Sequence, residues 1–554
     1  MGRAFDAGLF ARNCFKSLKR GFLMNLNHYA IAPGAPLAPG GASEVGNKAW
    51  NLMRMAQAGI HVPAAIVLPT SWCREYRAGR LAETSLPELL APAIAGLETT
   101  TGLGFGCSRK PLFISVRSGA AVSMPGMLET VLDVGMNSAT VDGLIRMTGN
   151  PRVAWDSYRR LVQSYAEVVL EEPQEVFDEF IAQALSRAEV ETERDLDFRS
   201  LRELTHNMME KSRALTNAPF PQDHHEQLAK AVAAVFRSWD APKAVAYRRL
   251  NGIDDDEGTA VTIQRMVFGN AGGDSGSGIG FTRNPATGER ELYIDFLLHA
   301  QGEDAVNGRH LARDGDRLRR MLPAVWKELQ STGRTLEALF RDAQDFEFTV
   351  ETGTLYILQA RNAKRTPWAA LRVATDLAAE HLISPAEALA RLEGIDLASV
   401  KRTRLASPPG APLDRAEVAS IGVASGAIAL DSNSAKRLAG SGTPVILVRP
   451  DTATSDIEGM AAAAGILTAT GGRTSHAAVV VRQLNKVCLV GCRSLIIDLR
   501  RRLCQIGGRT LHEGDFLSLD ANEGAIYAGQ LATITERPER ELAAIHAWQS
   551  ATSA

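Results

Sequence analysis

Three things are scarce in this 554-residue chain, and each scarcity excludes a class of protein. Cysteine is the first. Cys14, Cys73, Cys107, Cys488, Cys492 and Cys504 are scattered, and Cys488 and Cys492 have no second pair at zinc-ribbon spacing. That usage fits reduced thiols in a cytoplasmic protein better than a disulfide framework or a structural metal site. Long apolar runs are the second, since nothing approaches the roughly 18 consecutive apolar residues of a membrane span. Charge of one sign is the third: 61 Lys and Arg stand against 63 Asp and Glu, a formal net charge of -2. No basic field is available for nucleic acid, so neither nucleic acid nor membrane is an expected partner.

What is present is ordinary globular composition, 45% hydrophobic and 22% charged. The length suits about three or four domains. The first stretch, "MGRAFDAGLFARNCFKSLKRGFLMNLNHYA", is basic, nearly free of acids and lacks the continuous apolar segment of a secretory signal. Residues 1–24 are read as an extension, or as an early start with Met24 the true first residue.

From "GNKAWNLMRMAQAGIHVPAAIVLP" the pattern is helix, turn, strand, with Leu52, Met55 and Ala56 on one helical face and Gly59 at its end. "PLFISVRS" is a strand that enters a glycine-bearing loop, "GAAVSMPGM". Residues 151–250 read as mostly helical, and stretches such as "RAEVETERDLD" as solvated faces or connections. Strands return with "TAVTIQRMVFGN", "GSGIGFTRNP" and "ELYIDFLL". They close on a hairpin, "DFEFTV" and "TLYILQAR", turning at Thr352–Gly353. Helices follow to about residue 400. "LASPPGAPLDR", 405–415, is the best linker, because its prolines and glycine cannot continue a helix. A block of alternating short strands and helices comes next, an α/β pattern. The final "ERPERELAAIHAWQSATSA" reads as a helix with nothing to pack into.

The α/β block holds "GGRTSHAAVV". Gly471 and Gly472 make a turn after a strand, Thr474 or Ser475 can cap a helix, and His476 falls in its first turn. Backbone N–H groups there lack partners and the helix dipole is positive, which favours an anion carried on the ring. A nucleophilic, phosphate-carrying histidine suits that place. On spacing alone, a capping or core histidine fits it equally well.

Upstream, Arg117 ends a strand before Gly119, Ser123 and Gly126, a loop whose N–H groups could cover phosphates beside a bidentate arginine. Lys48 follows Gly46 ahead of a helix, where a solvated lysine is the common alternative. In the hairpin, Asp345 and Glu347 share one face of their strand and Gln359 and Arg361 share one face of theirs. Paired in register, they form a set of oxygens, an amide and a guanidinium suited to Mg²⁺ on nucleotide phosphates. A surface ladder of opposite charges fits the same alternation.

Taken in order, the segments "RSGAAVSMPGMLETVLDVGMN", "AWDSYRRLVQ", "AVFRSWDAPKAVAYRRLN", "GFTRNPATGE", "AQGEDAV", "DFEFTV", "ILQARNAKRT" and "SDIEGMAAAAGILTATGGRTSHAAVVVR" resemble the pyruvate, phosphate dikinase family. The resemblance covers about residues 40–554. It implies a multidomain α/β and α+β fold. An ATP-grasp nucleotide-binding domain spans 25–365, with a helical insertion at about 151–250. A helical linker follows at 366–415, then a swivelling β/β/α phosphohistidine domain at 416–532 and a terminal helix stub at 533–554.

By the same resemblance ATP is a substrate and Mg²⁺ the cofactor. His476 takes the β-phosphoryl group while inorganic phosphate takes the γ, giving AMP and pyrophosphate. Lys48, Arg117, Gly126, Gln301, Asp345, Glu347, Gln359 and Arg361 line the ATP site, Asp345 and Glu347 as metal ligands. Thr474 matches a regulatory phosphorylation position. The family's phosphoenolpyruvate- and pyruvate-binding barrel has no counterpart before the last residue, so transfer to pyruvate is expected to need a separate barrel-containing chain; a homodimer is compatible with the pattern. Alternatives are a dikinase half-enzyme with another acceptor and a non-catalytic regulatory paralogue. Departures include Asn47, Ala49 and Trp50 around the lysine, "NGRHLARDG" after "AQGEDAV", and Ile421 where proline is usual.

Overall fold

The structure is a computed structural model that describes residues 26–122, 124, 127–190, 192–302, 315–406, 410–451, 456–470, 481, 484 and 486–553. The chain divides into two compact units. One holds Met1–Gly276, Leu298–Ala300 and Phe346–Arg361; the other holds Ser277–Leu297, Gln301–Asp345 and Asn362–Ala554.

The first unit is organised by a five-stranded sheet. Its strands are β1 (Tyr29–Ile31), β2 (Ala65–Leu68), β3 (Ile114–Gly119), β4 (Thr130–Val134) and β5 (Ala260–Arg265), in the spatial order β1-β2-β5-β3-β4. Every pairing is antiparallel, with Val116 opposite Ile263 and Arg117 opposite Thr262. β2 is buried throughout and β3 nearly so. The continuous Ala-Ile-Val-Leu run of β2 is what a strand covered on both faces requires.

Helix α1 (Ala42–Gln57) packs Leu52, Met55 and Ala56 inward, as the helical spacing predicts. Six further helices lie between Val141 and Asn251. Side chains of Asn150, Asp197 and Asp223 cap three of them by accepting N–H bonds two or three residues on. The helical region therefore starts ten residues before 151. One of its helices, His224–Ser238, packs on the sheet: Leu228, Val232, Val235 and Phe236 lie in the same core as Val116 and Ile263. The "AWDSYRRLVQ" helix carries buried charge. Burial opposes ionisation of Asp156, but the Arg160, Arg159 and Arg152 guanidiniums hold its carboxyl at about 2. Asn270 donates to the same carboxylate at 3.3 Å.

In the second unit, Arg283 is fully buried and bidentate to Glu337, with Glu380 as a further partner. Helices Pro367–Ala379 and Pro385–Arg391 follow, the latter opened by a reciprocal Ser384–Glu387 capping box. The C-terminal stretch corrects an expectation. It forms helix Glu539–Ser553, and Leu542 and Ile545 bury against a cluster holding Leu371, Leu377 and Ile383. Their i, i+3 spacing makes an apolar stripe that the preceding helices cover.

The flanks of the 405–415 linker are also ordered. Arg402–Leu405 pairs antiparallel with Thr533–Glu536, so the chain enters and leaves the block between them side by side. That block is an eight-stranded mixed sheet. Val423–Ala429, Val445–Arg449, Gly465–Thr468 and Val487–Val490 run parallel at its centre. Helices Ser432–Gly440 and Ile457–Ala462 make two of the crossovers, the arrangement parallel strands demand. Among the described residues, no helix is long and apolar enough to cross a membrane.

Candidate functional site

The site grows from a break in α1. Helical turns precede the expected helix as well, but Gly46 stands at φ 76°, ψ 154°, so two helical pieces meet across it. Only glycine occupies that region without strain. The reason is a close approach: a Cβ at Gly46 would stand 2.3 Å from the carbonyl oxygen of Gly119. The break presses the start of the second helical piece against the end of β3. Asn47 N–H then donates to the Ala120 carbonyl at 3.0 Å. Lys48, the next residue, is thereby set beside the strand that carries Arg117.

The hairpin supplies the other side. Its strands are β6 (Gln344–Glu351) and β7 (Thr354–Asn362), joined at Thr352 and Gly353 with φ of 49° and 78°. Two positive φ values define the two-residue turn whose twist matches a hairpin. Phe346 and Phe348 are buried on alternate positions, while Glu347 between them is half-exposed. On β7, Gln359 is half-buried and Arg361 exposed, two residues apart and so on one face. Asn51, one turn after Lys48 on α1, donates its side-chain amide to the Ala360 carbonyl at 3.0 Å.

These fastenings gather four charged side chains from three distant stretches. Lys48 lies within electrostatic range of Arg117, Glu347 and Arg361. Crowding by protein lowers its ammonium to about 8, Arg117 and Arg361 push the same way, and Glu347 opposes them. Lys48 keeps solvent-accessible surface, so this is the desolvation of a cleft side and not of a core. Two further cations and one carboxylate within electrostatic range of Lys48 leave a net positive charge suited to phosphate oxygens.

Asp345 and Gln301 belong to the second unit and are both buried, at 7% and 6% exposure. Asp345 precedes Glu347 by two positions on β6. Among the described residues, no group of three or more His, Cys, Asp or Glu side chains could hold a metal alone. One or two carboxylates completed by phosphate and water oxygens is, however, the ordinary Mg²⁺ arrangement, and in the first unit the half-exposed Glu347 is a carboxylate of the kind it needs. Gly126, Thr474 and His476 lie outside the described residues. The stretch holding His476 follows strand Gly465–Thr468 and precedes Val487–Val490 in the chain.

Sequence reasoning singled out Lys48 and Arg117 but not what fastens them. Gly46 and Gly119 were visible only as glycines, and Asn51 carries no local signal, since its partner is 309 residues away.

Comparison with known proteins defines the class first. Residues 79–319 match the family described as pyruvate phosphate dikinase, AMP/ATP-binding domain, and residues 442–524 match PEP-utilising enzyme, mobile domain. The chain thus combines a nucleotide-binding domain type with a mobile domain type in one mixed α/β, multidomain molecule. Among full-length proteins, it is 42% identical over 494 residues to pyruvate, phosphate dikinase of Clostridium symbiosum, covering 88% of this chain and 56% of that protein. It is 40% identical over 541 residues to the enzyme of the same name from Rhizobium meliloti (strain 1021), covering 94% and 60%. Pyruvate, phosphate dikinase 1, chloroplastic, of Arabidopsis thaliana is 38% identical over 513 residues, covering 92% and 53%. The chain spans little more than half the length of these curated relatives.

Proposed function

We propose that this chain is an ATP-dependent phosphotransferase of the pyruvate, phosphate dikinase kind, working through a phosphohistidine at His476. The observation that carries the reading is the convergence of Lys48, Arg117, Glu347 and Arg361 in one unit. On this reading the first unit is the main body of an ATP-grasp nucleotide-binding domain. Residues 416–532 are the swivelling domain that carries His476.

Phosphoryl transfer is chiefly positioning and charge neutralisation. Arg117 and Arg361 present planar donors to phosphate oxygens, and Lys48 adds a point charge that rises in basicity as phosphate approaches. Glu347 would help hold Mg²⁺, which would supply charge neutralisation, and the family resemblance assigns Asp345 to the metal too. Gln359 lies beside Arg361 on the hairpin strand, and the family resemblance assigns Gln301 and Gly126 to nucleotide binding as well. The neutral imidazole of His476 attacks the β-phosphorus, and inorganic phosphate accepts the γ-phosphoryl group. AMP and pyrophosphate leave. An unperturbed imidazole titrates at about 6.5, so the nucleophilic form is abundant at neutral pH. Thr474, two residues before the carrier, is the position through which a regulator would block it. Pyruvate is the proposed final acceptor.

ATP labelled at the β-phosphorus tests this directly. Purified protein with Mg²⁺ and phosphate should gain acid-labile, base-stable label and release AMP and pyrophosphate, and His476→Ala should gain none. ATP binding without label on the wild-type chain would sink the carrier role and favour a non-catalytic paralogue.

A further inference from the structure

The proposed phosphate-binding cleft depends on how Lys48 is held, and the backbone accounts for only one side of the hold. Asn47, one residue before Lys48, bonds through its amide to Ala120, in the loop that follows Arg117. Asn51, three residues after Lys48, reaches the opposite side. Its Nδ2 donates to the carbonyl of Ala360, the residue between Gln359 and Arg361. Asn51 and Ala360 are both buried, at 9% and 2% exposure. A carbonyl can only accept, so the bond fixes which end of the Asn51 amide faces β7. A buried amide hydrogen bond of this kind has no water to replace it when the donor is removed.

Resting on the reading above, we propose that Asn51 is a positioning residue for phosphate binding, tying the helix that carries Lys48 to the strand that carries Gln359 and Arg361. It touches no substrate. Its work is to fix the separation of Lys48 from the β7 donors. The Asn47–Ala120 bond fixes the separation of Lys48 from Arg117. Lys48 is thus held from both sides, and the cleft is set before a ligand arrives. Preset donors bind an anion without first ordering themselves.

Asn51→Leu removes the donor while keeping volume and helix propensity, and Asn51→Ser keeps a polar group too short to reach Ala360. Two readouts are needed. The first is Mg·ATP affinity by calorimetry, where both variants should weaken binding by about tenfold or more, as displaced donors do. The second needs no nucleotide: the pH dependence of Lys48 labelling by an amine reagent, followed by peptide mass spectrometry. A loosened cleft lets water in, so its labelling midpoint should rise by about half a unit or more toward ordinary lysine. Should the leucine variant not fold, the serine variant carries both measurements. Unchanged Lys48 labelling, or ATP affinity within about twofold of wild type in a folded variant, would overturn the positioning role. A wild-type chain that does not bind ATP at all would instead defeat the functional reading, and the labelling midpoint would still decide what Asn51 does.

Discussion

The cation cluster of the first unit and the histidine stretch of the second are built in opposite ways. Lys48, Arg117, Glu347 and Arg361 come from a broken helix, a strand end and a hairpin separated by tens to hundreds of residues. They meet because Gly46 lies against Gly119 and Asn51 reaches Ala360. The histidine candidate needs only ten consecutive residues, "GGRTSHAAVV", between two strands of one sheet. A scattered site stores its precision in tertiary contacts, so it breaks at residues that never touch ligand. A contiguous motif is most vulnerable at its own side chain.

The sharpest way to break that contrast is Gly46→Ala. The added methyl meets the Gly119 carbonyl at 2.3 Å, and the backbone must also leave a glycine-only conformation. Steric and backbone strain together should cost about 2–4 kcal/mol in the first unit. Any relaxation swings Lys48 away from Arg117, and a misplacement on the order of 1 Å should lower ATP affinity by about a hundredfold. Denaturant unfolding and calorimetric ATP titration measure the two effects. An alanine variant that is fully stable and binds ATP normally would show that the cluster is not assembled through this contact.

The same contrast shows in what the sequence made legible. Strands such as Ala65–Leu68 and Val445–Arg449 are short, apolar but for the closing Arg449, and have prolines close by, so local pattern finds them. The hairpin announced its turn through Thr352–Gly353, and the alternation of Asp345 and Glu347 against Phe346 and Phe348 followed from period two. The kink at Gly46 was hidden, because the helix was read as beginning there and the close approach to Gly119 that bends it comes from 73 residues on. Helix His224–Ser238 was legible as a helix, but what buries it was not, because it packs on a sheet that local periodicity cannot see. The C-terminal helix looked unpartnered for a related reason: Leu542 meets residues some 170 positions earlier in the chain.

A second, smaller effect follows from Lys48. Crowding, with Arg117, lowers its ammonium to about 8 from 10.5. Between those values the unfolded chain holds a proton that the folded chain has lost, so this group makes stability rise with pH across the window. ATP affinity moves the other way. Above about pH 8 the amine becomes neutral and one charge-assisted contact to phosphate weakens, a loss of about tenfold by pH 9.5. Lys48→Met should flatten that part of the profile. A decline of equal size in the methionine variant would assign the titration to another group.

The smallest effect is expected where the mixed sheet joins the rest of its unit. Arg402–Leu405 and Thr533–Glu536 form the two-stranded ribbon through which the chain enters and leaves it, and Glu536 accepts from both Arg402 and Arg404. Arg402 also lies 4.4 Å over the Trp368 ring. These arginines are partly exposed, so the pairs are solvated and screened, unlike the buried amide bond of Asn51. Glu536→Gln should therefore cost only about 0.2–1 kcal/mol. Hydrogen exchange of the ribbon amides should quicken by no more than about fivefold at low salt, and the difference should vanish in about 1 M salt. A much larger, salt-insensitive change would mean that the ribbon is held as firmly as the cleft. Attachment of the mixed sheet would then rest, like the cation cluster, on a few buried contacts between distant residues.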